Sequence, residues 1–269
     1  MTTALLTDTV TTDLDRALYF TLLWGLEAVE LRTVGGPSDR VPFVNEEKLR
    51  RRLAEHELPV VAIVPGMFEG SVHDRRAWLN EIAAFDEVLA FCRRIQCPRV
   101  VVSAFAAEPN DAKEAAVEAL RRAGDKAARY GITLAVLNEV EGAFPRGEAL
   151  AALLAAVAHP SVKAAWNPGA ALQVGEDPQV GLAALGPYVA LVRCTDWRWN
   201  PERAGWEPAP FGEGAVGWLA QLRQLHRLGY AGPLSLEVQG TPRPKRGFRD
   251  ASQLIALLRQ VQHELTSAA

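Results

Sequence analysis

Two side chains that could do chemistry lie near the ends of apolar, strand-like segments late in the chain. Arg193 lies in the segment that begins near Val189, and Glu237 ends the one that begins near Pro233. A buried glutamate can act as a general base or accept hydrogen bonds from substrate hydroxyls. A planar guanidinium can hold a carboxylate, phosphate or enediolate oxygen. We therefore predict that Glu237 and Arg193 are catalytic, with a purely structural ion pair between them as the alternative.

Other polar and aromatic residues near predicted strand ends are candidates for substrate binding. Asn167 offers a donor and an acceptor to a hydroxylated ligand, although Asn-Pro-Gly is also favourable turn chemistry. Trp197 and Trp199 could stack on the apolar faces of a sugar, or could simply bury a long loop. His73 lies after the third predicted strand and could reach the same region, although a lone loop histidine is more often uninvolved.

The elements that must position these residues alternate eight times between a short apolar run and an amphipathic stretch. The runs begin near Leu5, Ala28, Val60, Arg99, Ile132, Val162, Val189 and Pro233. Runs that are apolar on both faces are typical of parallel strands covered by helices. We predict a single (β/α)8 TIM barrel domain over residues 1–269. An open doubly wound sheet is the second choice, but no Gly-x-Gly-x-x-Gly follows the first strand.

Helix start signals and two long connections add detail to this barrel. Asp111 and Glu114 have the spacing of a capping box, and Asp177 precedes a proline suited to a first helical turn. The connections 35–45 and 197–214 follow the second and seventh strands, so both should lie over the catalytic face. We expect the second of them to close over the pocket as a lid.

Composition and charge exclude several classes of protein. The chain is 49% hydrophobic and 23% charged with a net charge of −3, and it lacks the concentrated basic surface that sequence-independent nucleic-acid binding needs. No apolar run approaches the ~20 residues that span a bilayer, and no signal peptide is visible. The three cysteines are odd in number and show no metal-like spacing. We therefore expect a cytoplasmic protein with reduced thiols and no membrane partner.

Three segments together point to a family. They are GLEAVELR at 25–32, PFGEGAVGW at 210–218 and LGYAGPLSLE at 228–237. In order and spacing they resemble the sugar phosphate isomerase/epimerase family, the xylose-isomerase-like barrels. The resemblance implies a sugar-converting barrel in which a divalent Mn, Mg, Co or Zn ion is held by Glu, Asp, His and Glu from strands five to eight.

This sequence departs from that ligand set. The four family positions fall on Leu137, Asn167, Arg193 and Glu237. Leucine cannot coordinate a metal, asparagine is a weaker neutral ligand, and arginine brings a cation into the space of the ion. We therefore expect no cofactor. A retained metal is the alternative if Glu139, two residues beyond Leu137 and on the same side of an extended strand, supplies the missing carboxylate.

The resemblance also marks two further acidic residues. Glu30 matches a glutamate that is frequent in the second strand of the family and is more often structural, and Asp196 matches the acid that follows strand seven. With Glu139 they complete the predicted substrate-binding set. Because strands seven and eight are neighbours about 5 Å apart, Glu237 is the expected partner of the Arg193 cation.

The leading hypothesis is an isomerase or epimerase for a small hydroxylated carbonyl compound, a sugar or sugar acid. Glu237 would move a proton next to the carbonyl, while Arg193 and Asn167 stabilise the developing enediolate. A lyase or dehydratase could use the same pocket. The alternative from another class is a catalytically inactive sugar- or metabolite-binding protein of the same fold. The family's endonuclease relatives need a metal cluster and a DNA-binding face that this chain lacks. The sequence leaves the oligomeric state open.

The ligand substitutions predict that the protein purifies without a stoichiometric divalent metal. Elemental analysis should find well below one Mn, Mg, Co or Zn ion per chain, and EDTA should leave the melting temperature unchanged. About one bound ion per chain, lost on chelation together with stability, would contradict this and promote Glu139 to a ligand.

Overall fold

A computed structural model describes residues 1–36, 38–108, 112–241 and 243–266, and eight parallel strands form a closed barrel within them. In chain order the strands are β1 (Thr2–Leu6), β2 (Ala28–Leu31), β3 (Val60–Ile63), β4 (Arg99–Ser103), β5 (Thr133–Leu137), β6 (Val162–Trp166), β7 (Val189–Cys194), β8 (Trp197–Asn200), β9 (Gly205–Pro208) and β10 (Pro233–Leu236). All but β8 and β9 belong to the barrel, in the order β1-β10-β7-β6-β5-β4-β3-β2. The predicted TIM-barrel fold is confirmed.

Helices cover the outside of the barrel, as the apolar faces of its strands require. They are α1 (Leu14–Leu23), α2 (Glu46–Glu55), α3 (Arg75–Arg94), α4 (Lys113–Tyr130), α5 (Gly147–Val157), α6 (Pro168–Gln173), α7 (Pro178–Leu185), α8 (Trp218–Arg227) and α9 (Arg243–Thr266). The Asp177 cap of α7 is confirmed, since its carboxylate accepts the backbone N–H of Gln179 at 2.8 Å. Helix α4 begins directly after Ala112, and the predicted capping residue Asp111 lies outside the described residues.

The barrel interior is lined mainly by small side chains. The inward-facing alanines are Ala4, Ala28, Ala62, Ala135 and Ala165, all fully buried. The strand period places Glu30, Arg193 and Ser235 on the same inner surface, since their neighbours in sequence pack outward against the helices. Because the alanines leave free volume, a long arginine side chain can fit inside the barrel.

The connection that follows β7 is ordered in an unexpected way. The sequence predicts a long loop over 197–214, and the structure forms a two-stranded antiparallel hairpin, β8 and β9, within it. The hairpin lies at the C-terminal end of the barrel, because Trp197 contributes to the cavity that opens there. The predicted position over this face is therefore confirmed, while closure of the hairpin as a lid stays a prediction.

Two observations concern the predictions about thiols and membranes. The three cysteines are free thiols, and all of them are buried. Among the helices of the described residues, none combines the length and the apolar character needed to cross a membrane.

Candidate functional site

A polar cavity of about 310 Å³ opens at the C-terminal ends of the barrel strands. Five of the predicted site residues line it: Glu139, Asn167, Arg193, Trp197 and Glu237. Its volume lies at the lower end of the range for small-molecule sites. A larger surface depression of about 890 Å³ lies at the other end of the barrel, between α2 and the end of α3. Its Glu46 and Arg94 side chains bind each other at 2.9 Å, away from the predicted site residues.

Arg193 is the central charge of the cavity floor, and its side chain is only 2% exposed. Its Nη2 donates to Glu30 Oε1 at 2.7 Å. Glu237 lies further away, with 3.6 Å between Arg193 Nε and Glu237 Oε2. The predicted ion pair between Arg193 and Glu237 is therefore present, but Glu30, which was not predicted as a partner, makes the closer contact. Glu30 from β2 reaches the guanidinium across the barrel interior.

The remaining donors of Arg193 are the most telling feature of the site. Nε and Nη1 are buried and have no hydrogen-bond partner among the described residues. A buried donor without an acceptor costs about 1–3 kcal/mol, and more when it is charged. Arg193 lines the cavity, so an oxygen of a ligand that reaches the guanidinium would supply the missing acceptor.

The charge of Arg193 is secure despite its burial. Burial disfavours the charged guanidinium, but the carboxylates of Glu30 and Glu237 outweigh that effect and raise the pKa of Arg193 above its ordinary value. Glu30 is held in turn by a short hydrogen bond from the Ser235 hydroxyl. Glu30 is fully buried beneath the cavity. The structure therefore does not place this predicted substrate-binding residue in the cavity lining.

Glu139 and Glu237 contribute carboxylates from different strands. Burial raises the pKa of Glu139, and the nearby charges of Glu69 and Glu237 raise it further, while a hydrogen bond from Ser103 and the charge of Arg193 act in the opposite direction. Glu237 accepts a hydrogen bond from Gln239 Nε2 at 3.1 Å, and its side chain is 20% exposed. The cavity therefore holds one carboxyl whose pKa is raised by burial and a second that lies next to Arg193.

Asn167 combines a structural and a cavity-lining position. Its Oδ1 accepts the backbone N–H of Ala170 at 3.1 Å, which caps α6. Asn138 fixes its backbone, donating to the Asn167 carbonyl at 2.9 Å and accepting its N–H at 2.7 Å. The bond from Ala170 uses the Oδ1 atom of Asn167 and leaves its side-chain nitrogen, Nδ2, for a ligand. Both interpretations of Asn167 from the sequence, as a turn residue and as a hydrogen-bond donor to a ligand, are compatible with this geometry.

Asp196 does not line the cavity, and its side chain instead binds the connection that follows β7. Its carboxylate accepts the backbone N–H groups of Trp197, Gly212, Gly214 and Val216 at 2.9–3.3 Å. The approach is so close that a Cβ on Gly214 would lie 2.1 Å from Asp196 Oδ1. The prediction that Asp196 binds substrate is not supported by this placement, since all these bonds go to the loop.

The structure separates the remaining predicted residues. Trp197 lines the cavity, but Trp199 is 52% exposed further along β8 and is absent from the lining. His73 lies outside the cavity and approaches Glu108 at 3.4 Å with 41% of its side chain exposed. The placement of His73 agrees with the alternative that a lone loop histidine is uninvolved.

Several cavity residues escaped the sequence analysis: Arg32, Arg40, Glu69, Ser103, Gln173, Thr195 and Gln239. Arg40 belongs to the long connection after β2, whose length was the available signal. Its guanidinium donates to Val64 O at 3.2 Å and to Glu69 Oε1 at 2.8 Å. It passes over Gly66, where a Cβ would lie 2.5 Å from Arg40 Cζ, and the φ of +81° at this residue also favours glycine. This contact ties the connection to the third strand at the cavity rim.

The residues at the family's metal positions do not fit a divalent ion. Leu137 is apolar and Arg193 fills the space with a guanidinium, while the Asn167 oxygen is engaged by a backbone N–H. Within the described ranges, no group of three or more His, Cys, Asp or Glu side chains is arranged to hold a metal.

Known proteins share this architecture. The family model described as xylose isomerase-like TIM barrel matches residues 20–260. An L-ribulose 3-epimerase superposes with a TM-score of 0.81 at 15% identity, covering 100% of this chain and 98% of that one. A D-allulose 3-epimerase from Methylomonas sp., in complex with D-allulose, gives 0.74 at 14% identity and coverages of 98% and 96%. The probable 3-DHS dehydratase AsbF from Bacillus anthracis gives 0.77 at 15% identity, covering 95% and 99%. No curated protein gives a significant sequence match.

The geometry of the buried pair predicts a large stability effect. Replacing Arg193 by Leu leaves the Glu30 carboxylate buried without its cation and should destabilise the fold by roughly 3–5 kcal/mol in chemical denaturation. Replacing both Arg193 and Glu30 by Leu should recover much of that loss. Glu237→Gln, as a control, should cost far less because Glu237 lies 3.6 Å from Arg193 and is partly exposed. A neutral Arg193→Leu variant would contradict the assignment of the pair.

Proposed function

This chain belongs to the xylose isomerase-like TIM barrel family, and we propose that it isomerises or epimerises a small hydroxylated carbonyl compound by metal-independent proton transfer. The observation that carries the proposal is the Arg193 guanidinium, which is buried, charged, and left with two donors that have no acceptor in the described structure. It lies in one cavity with the carboxyl groups of Glu139 and Glu237. A fixed cation that shares a cavity with two carboxyl groups can support enolisation, because it stabilises the oxygen charge that develops as a carboxylate removes the proton.

The proton transfer follows from these positions. The Glu237 carboxylate removes a proton from the carbon next to the substrate carbonyl, and the C–H electron pair moves into the new C–C double bond as the carbonyl oxygen gains negative charge. Arg193 Nε and Nη1 donate to that oxygen. Glu139, the second carboxyl of the cavity, has a pKa raised by burial and in this proposal delivers a proton to the opposite face of the carbon. The product is the epimer. If the proton is instead delivered to the former carbonyl carbon, and the hydroxyl proton of the enediolate moves to the former carbonyl oxygen, the product is the isomer.

The charge pattern of the cavity supports an uncharged or weakly charged substrate. Arg32 binds Asp8 at 2.8 Å and Arg40 binds Glu69 at 2.8 Å, as Arg193 binds Glu30 at 2.7 Å. Since each lining arginine already has a carboxylate partner, the cavity is not a strong trap for a dianionic phosphate. Amide and hydroxyl side chains beside these pairs suit a sugar or a sugar acid. The structural neighbours include epimerases of sugars, which supports the same substrate class.

A ligand-binding protein without catalysis is the second candidate. The observation in its favour is that three of the four family ligand positions, Leu137, Asn167 and Arg193, have lost their metal-binding side chains together. Such a protein would be stabilised by its ligand and would return that ligand unaltered.

The two candidates are separated by hydrogen exchange. Incubation with D-fructose, D-allulose, L-ribulose and D-xylulose in D2O, followed by NMR, should show deuterium at the carbon next to the carbonyl of at least one sugar. Glu237→Gln should lower that rate at least about hundredfold, because general-base catalysis contributes roughly 10²–10⁴. Glu202→Gln, at an exposed position of the hairpin, should leave it unchanged. A rise in melting temperature with these sugars but no exchange would support the binding protein instead.

The pH dependence tests the role of Glu139. Glu139 acts as a proton donor, so activity is present below its pKa in the folded protein and is lost as pH rises through that value. Burial raises this pKa, so the loss should occur above the usual carboxyl range. Ser103→Ala removes a hydrogen bond that stabilises the charged form, and should therefore move the loss of activity to still higher pH. A profile of kcat/KM against pH that is identical in this variant would contradict the assignment.

A further inference from the structure

The hairpin after β7 carries aromatic side chains on one face. Antiparallel pairing places Trp197 opposite Pro208 and Trp199 opposite Trp206. Residues directly opposite each other in such a ladder share a face, and residues two apart along a strand share it as well. All four side chains therefore lie on one surface of the hairpin.

The opposite face of the hairpin is polar and internally paired. Arg198 Nε donates to Glu207 Oε1 at 2.7 Å, and Asn200 Nδ2 donates to Glu207 Oε2 at 2.8 Å. These cross-strand bonds hold the two strands together without using the aromatic face. The hairpin is therefore held together by bonds on its polar face that do not involve the tryptophans.

The aromatic face is continuous with the cavity. Trp197 lines the cavity wall, and Trp199 follows two residues later, about 7 Å further out along the strand. That step is comparable to the length of one sugar unit. Trp199 packs edge to face against Trp206 with 5.6 Å between ring centroids, yet remains 52% exposed. A large aromatic surface thus runs from the cavity towards solvent.

The hairpin is held at a fixed position relative to the cavity. The Asp196 carboxylate binds backbone N–H groups on both sides of the hairpin, those of Trp197, Gly212, Gly214 and Val216. The Asp196 carbonyl also accepts the N–H of Ala209 at 2.9 Å. An exposed tryptophan, packed on a half-buried one and tied by these hydrogen bonds next to a polar cavity, is suited to bind a ring with an apolar C–H face.

We propose that Trp199 and Trp206 form a second sugar subsite, in which the outer ring of a glycosylated substrate stacks while its reacting unit occupies the cavity. The proposal rests on the proposed function, since it takes the cavity ligand to be a sugar. The cavity of about 310 Å³ has room for one sugar unit, and Trp197 in its lining lies on the same hairpin face as Trp199 and Trp206. The substrate class is accordingly a disaccharide or glycoside with a free carbonyl at the reacting unit.

The test compares binding of matched sugars to the full chain by calorimetry. The probes are lactulose and D-fructose, cellobiose and D-glucose, and maltose and D-glucose. At least one disaccharide should bind about fivefold or more tightly than its monosaccharide, and Trp199→Ala should remove that advantage while leaving monosaccharide binding unchanged. Tyr19→Ala is the matched control, because Tyr19 is 58% exposed on the outer helix α1.

Three results would overturn the subsite: no disaccharide binds more tightly than its monosaccharide, the advantage persists in Trp199→Ala, or Trp199→Ala converts a dimer into a monomer in light scattering. The last would show that a second copy of the chain covers the face. Hydrogen exchange in D2O on the same samples separates this proposal from the proposed function. A disaccharide preference without exchange keeps the subsite and removes catalysis, whereas exchange without the preference does the reverse.

Discussion

The buried ion pair between Arg193 and Glu30 is the constraint on which the rest of the site depends. The two residues come from β7 and β2, which are not neighbours in the barrel, and they meet at 2.7 Å inside it. Small inner side chains leave the room, and Ser235 supplies a further hydrogen bond to the carboxylate. A charge buried this deeply persists only with its partner, so the pair fixes where the guanidinium lies. Two of its donors, Nε and Nη1, are left without a hydrogen-bond partner among the described residues, in a side chain that lines the cavity.

A guanidinium in this place differs physically from a metal ion. It carries one charge rather than two, keeps that charge over the whole physiological pH range, and cannot be removed by a chelator. It acts through directed hydrogen bonds rather than through coordination, so its effect depends on a substrate oxygen lying at Nε and Nη1. This dependence agrees with the hydrogen bonds that hold the connections around the cavity in place. Asp196 fixes the hairpin on one side of the cavity, and the Arg40 contact with Glu69 fixes the connection on the other.

The fold was predictable because barrel strands and helices leave periodic signals in sequence. Each predicted strand start lies close to the observed one, and the first strand begins somewhat earlier, at Thr2. The positions of Glu139, Asn167, Arg193, Trp197 and Glu237 in the cavity were also predictable, since all lie in or just beyond strand ends. The closed sheet was predicted, but the sequence does not show how deep inside the barrel each side chain lies.

The errors have physical causes. Glu237 was expected to pair with Arg193 because their strands are adjacent, but the register places Ser235 beside Arg193 and Glu237 two residues further out. Glu30, on a strand that is remote in the sheet, lies in the same inner layer and takes the bond instead. Asp196 binds backbone N–H groups because glycine at 214 lets the loop approach its carboxylate, a contact that no periodic pattern reveals.

The most direct measurement of the central claim is anomalous diffraction from crystals soaked with MnCl2 and the sugar that gives the largest thermal shift. If Arg193 replaces the metal, a sugar oxygen should lie at hydrogen-bonding distance, about 2.7–3.2 Å, from Nε or Nη1, with Arg193 still bound to Glu30 and no manganese peak in the cavity. A manganese peak between Glu139 and Glu237, with the guanidinium displaced from Glu30, would contradict the account.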